Sequence, residues 1–150
     1  MSKKKKIVIV TILVLLLLQL IQPERNHGIA ASDNDIFHAV ETSDEVKKIL
    51  ITSCFDCHSN HSDYPWYTKP QPIRFWMDHH VDEGKEFLNL SEFKSLPIKK
   101  QIHKLEEIAN WVKSEDMPLF SYTIIHSEAA LSDEQRALIV SWALKAKETL

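Results

Sequence analysis

Cys54-Phe55-Asp56-Cys57-His58 contains both cysteines of the chain. The string is C-x-x-C-H, the spacing by which a c-type haem is attached. One turn of helix presents two thiols to the ring edge, each able to add across a vinyl group, and one imidazole to the ring centre. On this reading Cys54 and Cys57 attach one covalent haem c, and His58 is the proximal iron ligand. A C-x-x-C pair has three other readings: a thioredoxin-like dithiol, half of a zinc site, or a structural disulfide. The dithiol wants alternating β segments around it. The zinc site wants further ligands, for which only His61, His79 and His80 are near in sequence.

The surrounding composition favours helices. Two glycines, Gly28 and Gly84, are few for a fold with many tight turns. Glu, Lys, Leu and Ile dominate the chain beyond its N-terminal segment, and all but Ile are strong helix formers. The 150 residues suggest one domain once the N-terminus is set aside. A formal net charge of −3 gives no reason to expect a nucleic-acid partner. The fold class expected is all-α, with the haem itself enlarging a core of modest size.

Lys3, Lys4, Lys5 and Lys6 precede an apolar run from Ile7 to Ile21, the pattern of a signal peptide or signal anchor. As a helix the run spans about 22 Å, short of a ~30 Å hydrocarbon core, and snorkelling lysines and local thinning are needed to close the gap. Gly28-Ile29-Ala30 is a small-x-small triplet suited to cleavage, but Pro23, Glu24 and Arg25 intervene, so an uncleaved anchor is favoured. Residues 1–21 are read as a transmembrane anchor, 22–42 as a polar tether and 43–150 as the haem domain. The lysines stay on the cytoplasmic side and the rest faces outward.

Ser43 is read as the N-cap of a helix carrying Val46, Ile49 and Leu50 into the cysteine motif. A second helix starts at Pro72 and stops near Gly84, and a third opens at Ser95 and Pro97 and ends near Glu115. Ser132 and Gln135 form a capping box for the last. The loop Asp116–Leu131 carries Met117-Pro118, which makes Met117 the favoured second axial ligand: it lies well downstream of the motif, and Pro118 stiffens its loop. Met77 fits a helical apolar stripe instead. His126, in the same loop, is the main rival, followed by His79 and His80; His103 suits a helix surface, and His61 is too close to His58 to reach the opposite face. A carbonyl around Pro70 is a candidate partner for the second ring nitrogen of His58. Arg74, Trp66 and Tyr67 are candidates to meet the haem propionates, with core packing the other reading of the two aromatics.

The segments Cys54-Phe55-Asp56-Cys57-His58-Ser59-Asn60, Tyr64-Pro65-Trp66-Tyr67 and His80-Val81-Asp82-Glu83-Gly84-Lys85 resemble the Haem_bd family of small single-haem proteins. So do Leu88-Asn89-Leu90-Ser91-Glu92-Phe93 and Asp116-Met117-Pro118-Leu119 with Tyr122 and His126. Leu131-Ser132-Asp133-Glu134-Gln135 resembles the start of the last helix in small cytochromes c. The resemblance implies a helical, cytochrome c-like domain on an N-terminal membrane anchor, with haem at Cys54, Cys57 and His58 and the domain facing the periplasm. It does not choose between Met117 and His126.

The function expected is that of a single-haem electron carrier, not an enzyme, tethered to the bacterial inner membrane by one pass. Its partners are the membrane and periplasmic or respiratory redox proteins. The alternatives are a peroxidase or gas or redox sensor with an open sixth site, and a haem-free C-x-x-C thiol–disulfide oxidoreductase.

Overall fold

A computed structural model describes residues 2–150. Eight helices follow in order: α1 Lys3–Leu18, α2 Ile36–Ala39, α3 Asp44–Ser53, α4 Phe55–His58, α5 Ile73–Phe87, α6 Ile98–Lys113, α7 Phe120–Thr123 and α8 Asp133–Glu148, with 3-10 turns at Trp66–Thr68, Leu90–Ser95 and Ser127–Ala129. No strand occurs among the described residues; a single antiparallel bridge joins His27 to His61. The all-α expectation holds.

The helix starts follow local chemistry. The Ser43 hydroxyl accepts from the Val46 amide at 3.4 Å, and Asp44 and Glu45 sit in the positive first turn of α3. Ser132 and Gln135 form the reciprocal capping box of α8. α6 and α8 pack along their lengths. Leu105, Ala109 and Val112 of α6 meet Ile139, Trp142, Ala143 and Ala146 of α8 in a core that also takes Ile36, Val46, Leu50, Leu90 and Phe93. Each large side chain buried there contributes about 1.5–3 kcal/mol. Ile98 of α6 and Leu144 of α8 lie outside that core and are exposed.

Residues 22–42 are not a free tether. Asn26 donates from Nδ2 to the Ser59 carbonyl at 2.9 Å and to Ser62 Oγ at 2.8 Å, accepts Lys85 Nζ at 2.7 Å, and its amide meets Tyr64 Oη at 3.0 Å. Ser91 Oγ donates to the Ala30 carbonyl at 2.6 Å, and Ile36 is fully buried. The segment is polar because it hydrogen-bonds to the domain.

α1 projects with its apolar side chains exposed. No helix among the described residues is long and apolar enough to cross a membrane. The expected transmembrane anchor therefore falls short in length: α1 ends at Leu18, and its 16 residues reach about 24 Å. Its end is clasped to the domain. Gln19 Nε2 donates to the Gln71 carbonyl at 3.2 Å, the Gln71 amide donates to Gln19 Oε1 at 3.0 Å, and Gln71 Nε2 donates to the Ile21 carbonyl at 2.9 Å.

Candidate functional site

Cys54 breaks the helical path between α3 and α4, and the short turn Phe55–His58 that follows packs against α5. The approach is close because position 84 is glycine: a Cβ there would fall 2.7 Å from the Cys57 carbonyl oxygen. Gly84 is thus no helix stop. α5 continues to Phe87, and the missing side chain is a packing requirement.

That contact orients His58. Its Nδ1 lies 2.8 Å from the Gly84 carbonyl and 3.0 Å from the Leu88 carbonyl. Carbonyls only accept, so Nδ1 carries the proton and Nε2 keeps its lone pair. The carbonyls belong to the end of α5 and not to the loop near Pro70, a non-local pairing that no sequence spacing announces. His58 thereby also caps α5 at Leu88, while the Gly84 carbonyl accepts the Leu88 amide at 2.9 Å as well. Burial holds the imidazole pKa below its ordinary 6.5, with Lys104 adding to this and the two carbonyls opposing it, which keeps the ring neutral.

Cys54, Cys57, His58 and Met117 line one cavity of about 1050 Å³, at the top of the roughly 300–1,000 Å³ range of small-molecule sites. Its wall is mostly apolar, with Leu50, Phe87, Leu88, Ile108 and Trp111 among the lining residues. Burial first, then the neighbouring thiol, pushes the Cys54 thiol up to about 12; burial, then Asp56, pushes Cys57 up to about 11. A reactive dithiol needs the opposite shift. Among the described residues no three His, Cys, Asp or Glu side chains converge on a metal-sized site, so the zinc reading lacks its ligands.

Met117 and His126 are separated by their surroundings. The Met117 amide donates to the Trp111 carbonyl at 3.2 Å, its own carbonyl accepts Arg136 Nη1 at 3.2 Å, and the residue lines the cavity. His126 lies outside that wall. Its Nε2 is hydrogen-bonded to the Tyr67 hydroxyl, its Nδ1 lies 3.2 Å from Glu128 Oε1, and its ring stacks on Tyr122 at 4.3 Å. His79 lies 3.4 Å from Glu83 across one turn, and His80 hydrogen-bonds the Trp76 carbonyl at 2.8 Å while its ring edges the cavity.

Arg74, Trp66 and Tyr67 are not brought to the cavity. Arg74 donates to the Pro23 carbonyl and lies 3.5 Å from Asp78, Trp66 is 78 % exposed, and Tyr67 serves His126. The lysines at the cavity are Lys85 of α5, whose Nζ lies 2.7 Å from Asn26 Oδ1, and two from α6. Lys100, Lys104, Ile108 and Trp111 all line it, and their spacing puts them on one helical face. Lys104 Nζ sits 3.9 Å over the Phe87 ring and 2.7 Å from Glu107. Sequence reasoning missed Lys100 and Lys104, although their i, i+4 spacing ahead of Ile108 and Trp111 was the available signal. It also passed over Asp56, Tyr122 and Arg136 as site residues.

These residues fit a haem. The wall is mostly apolar for a macrocycle, sets Lys85, Lys100 and Lys104 beside Glu83, Glu86, Glu92 and Glu107, and carries two thiols and a neutral imidazole whose Nε2 has no hydrogen-bond partner among the described residues. Fold and site together define a small helical haem-binding protein. Residues 13–145 match the family model described as a haem-binding domain, Haem_bd, and the chain belongs to that family. No match was found among curated proteins or among solved structures.

Proposed function

We propose that this chain is an exported c-type haem protein that carries electrons, with a single haem joined through Cys54 and Cys57 and held by His58 and Met117. The observation that carries the reading is the fixed tautomer of His58, whose Nδ1 is committed to Gly84 and Leu88 in a cavity shared with both thiols and Met117. Haem supplies a one-electron couple between ferric and ferrous iron. The two carbonyls hold the imidazole plane, Arg136 and Trp111 hold the backbone of Met117, and the apolar wall excludes water. Electron transfer is favoured over substrate turnover because a sulfur ligand closes the face that a substrate needs.

Export rests on Lys3–Lys6 followed by the exposed apolar surface of α1 and Leu20 and Ile21. We place the protein at the bacterial inner membrane with the haem domain in the periplasm. The lysine heads reach the headgroups, and local thinning accommodates the short apolar length. Redox proteins of the periplasm or the respiratory membrane would be its partners.

The test is the visible spectrum of the full chain exported with a cytochrome c maturation system. Haem that survives denaturation, with a weak long-wavelength sulfur-to-iron band lost in Met117→Ala and kept in His126→Ala, is the expected result. A high-spin spectrum moves the assignment to a peroxidase or sensor. Colourless protein with free thiols overturns haem attachment.

A further inference from the structure

The loop that carries Met117 is anchored at its far end, where Ala129 is fully buried and its turn packs on α3, but its middle is held with little packing. α7, its one helical turn, buries no residue, and Phe120, Ile124 and Ile125 are 79 %, 66 % and 61 % exposed. Two side-chain hydrogen bonds tie residues 118–128 to the rest of the domain among the described residues. One joins His126 to Tyr67. The other runs from the Tyr122 hydroxyl to Asp56 Oδ2 at 2.6 Å and crosses directly to the attachment turn. Asp56 is aimed for it, because its other oxygen accepts the Asp63 amide at 3.1 Å. Tyr122 also lines the cavity, and its ring lies against His126 at 4.3 Å.

We propose that Tyr122 is a positioning residue for Met117: its bond to Asp56 latches the methionine loop to the Cys54–His58 turn and sets how firmly the thioether holds its place. The proposal rests on the reading of Met117 as a ligand. Met117 is tied by Arg136 and Trp111 to α8 and α6, and Tyr122 ties the same loop five residues on to the attachment turn. With both ties made, the backbone that carries Met117 cannot swing away without breaking one of them, and the thioether moves only through its own side-chain torsions. A hydrogen bond to a carboxylate is among the stronger ones in a protein, whereas α7 offers little apolar contact to replace it.

The experiment is a pH titration of the sulfur-to-iron band in the oxidised full chain, matured with its haem, for the wild type, Tyr122→Phe and Asp56→Asn. Phenylalanine keeps the ring, the stack on His126 and the cavity wall, and removes only the hydroxyl. The midpoint at which the band is lost on raising the pH should fall by about one to two pH units in Tyr122→Phe, from the usual strength of a bond to a charged group. Asp56→Asn should shift it less, in the same direction, and decides the matter if the first variant fails to mature. A midpoint unchanged in both, with only a lower melting temperature, overturns the latch and leaves Met117 as ligand. A wild-type protein without the band at any pH overturns both readings, and that is seen before any variant is made.

Discussion

Replacing Gly84 with alanine sets two effects against each other. In an unhindered helix interior the change is favourable by about 1 kcal/mol. Here the new Cβ would lie 2.7 Å from the Cys57 carbonyl oxygen and 3.3 Å from the Cys57 carbonyl carbon and Cβ. A carbon–oxygen contact relaxes at roughly 3.3 Å, so the turn and α5 must part by about 0.6 Å. That displacement takes the 2.8 and 3.0 Å contacts of His58 Nδ1 to about 3.5 Å, the edge of hydrogen bonding. Overpacking costs about 1–3 kcal/mol and the weakened bond about 1 more, so the net loss after the helix gain is about 1–3 kcal/mol. For a chain of this size that lowers Tm by about 3–10 °C. Thermal unfolding of the haem-loaded full chain followed by circular dichroism reads it directly. The reduction potential should also rise, because an imidazole that loses its carbonyl partners donates less to iron. A Gly84→Ala protein as stable as the wild type, with an unchanged potential, would refute the reasoning.

Asn26→Ala removes bonds to Ser59, Ser62 and Lys85 together, and urea denaturation should show a loss of about 2–4 kcal/mol. Arg136→Met frees the Val112 and Met117 carbonyls, held at 2.6 and 3.2 Å, and should cost about 1–3 kcal/mol in the same assay. The haem-free protein should be most stable between about pH 6.5 and 9. Its His58 pKa is lowered on folding, so that contribution is present above the ordinary 6.5 and lost as pH falls toward the folded value. Its thiols are raised on folding, so theirs is present below 9.0 and lost as pH rises through about 11 and about 12. Denaturation midpoints across pH 5 to 12 check both limbs, and a flat profile refutes them.

What was legible in the sequence was local. Ser43 and Ser132 cap their helices with partners three residues away, and the cysteine motif lies within one turn, so spacing alone describes them. What escaped was every polar group whose partner lies far along the chain. Arg74 was open to a haem reading because an arginine announces a charge and not its acceptor; the acceptors are the Pro23 carbonyl and Asp78. Gly84 has two uses, ending a helix or admitting a neighbour, and only the Cys57 carbonyl decides between them. Asn26, Ser32 and Ser91 carry no signal of their partners because hydrogen bonds spanning 31 to 61 residues leave no periodic trace.

The clasp between Gln19 and Gln71 has a mechanical consequence. With three hydrogen bonds closing the joint, α1 is a lever arm of about 24 Å bolted to the domain. Whatever apolar phase takes up that arm sets the heading of the cavity, and rotation of one turns the other. Arm and domain turn together, and the cavity keeps one heading relative to the arm.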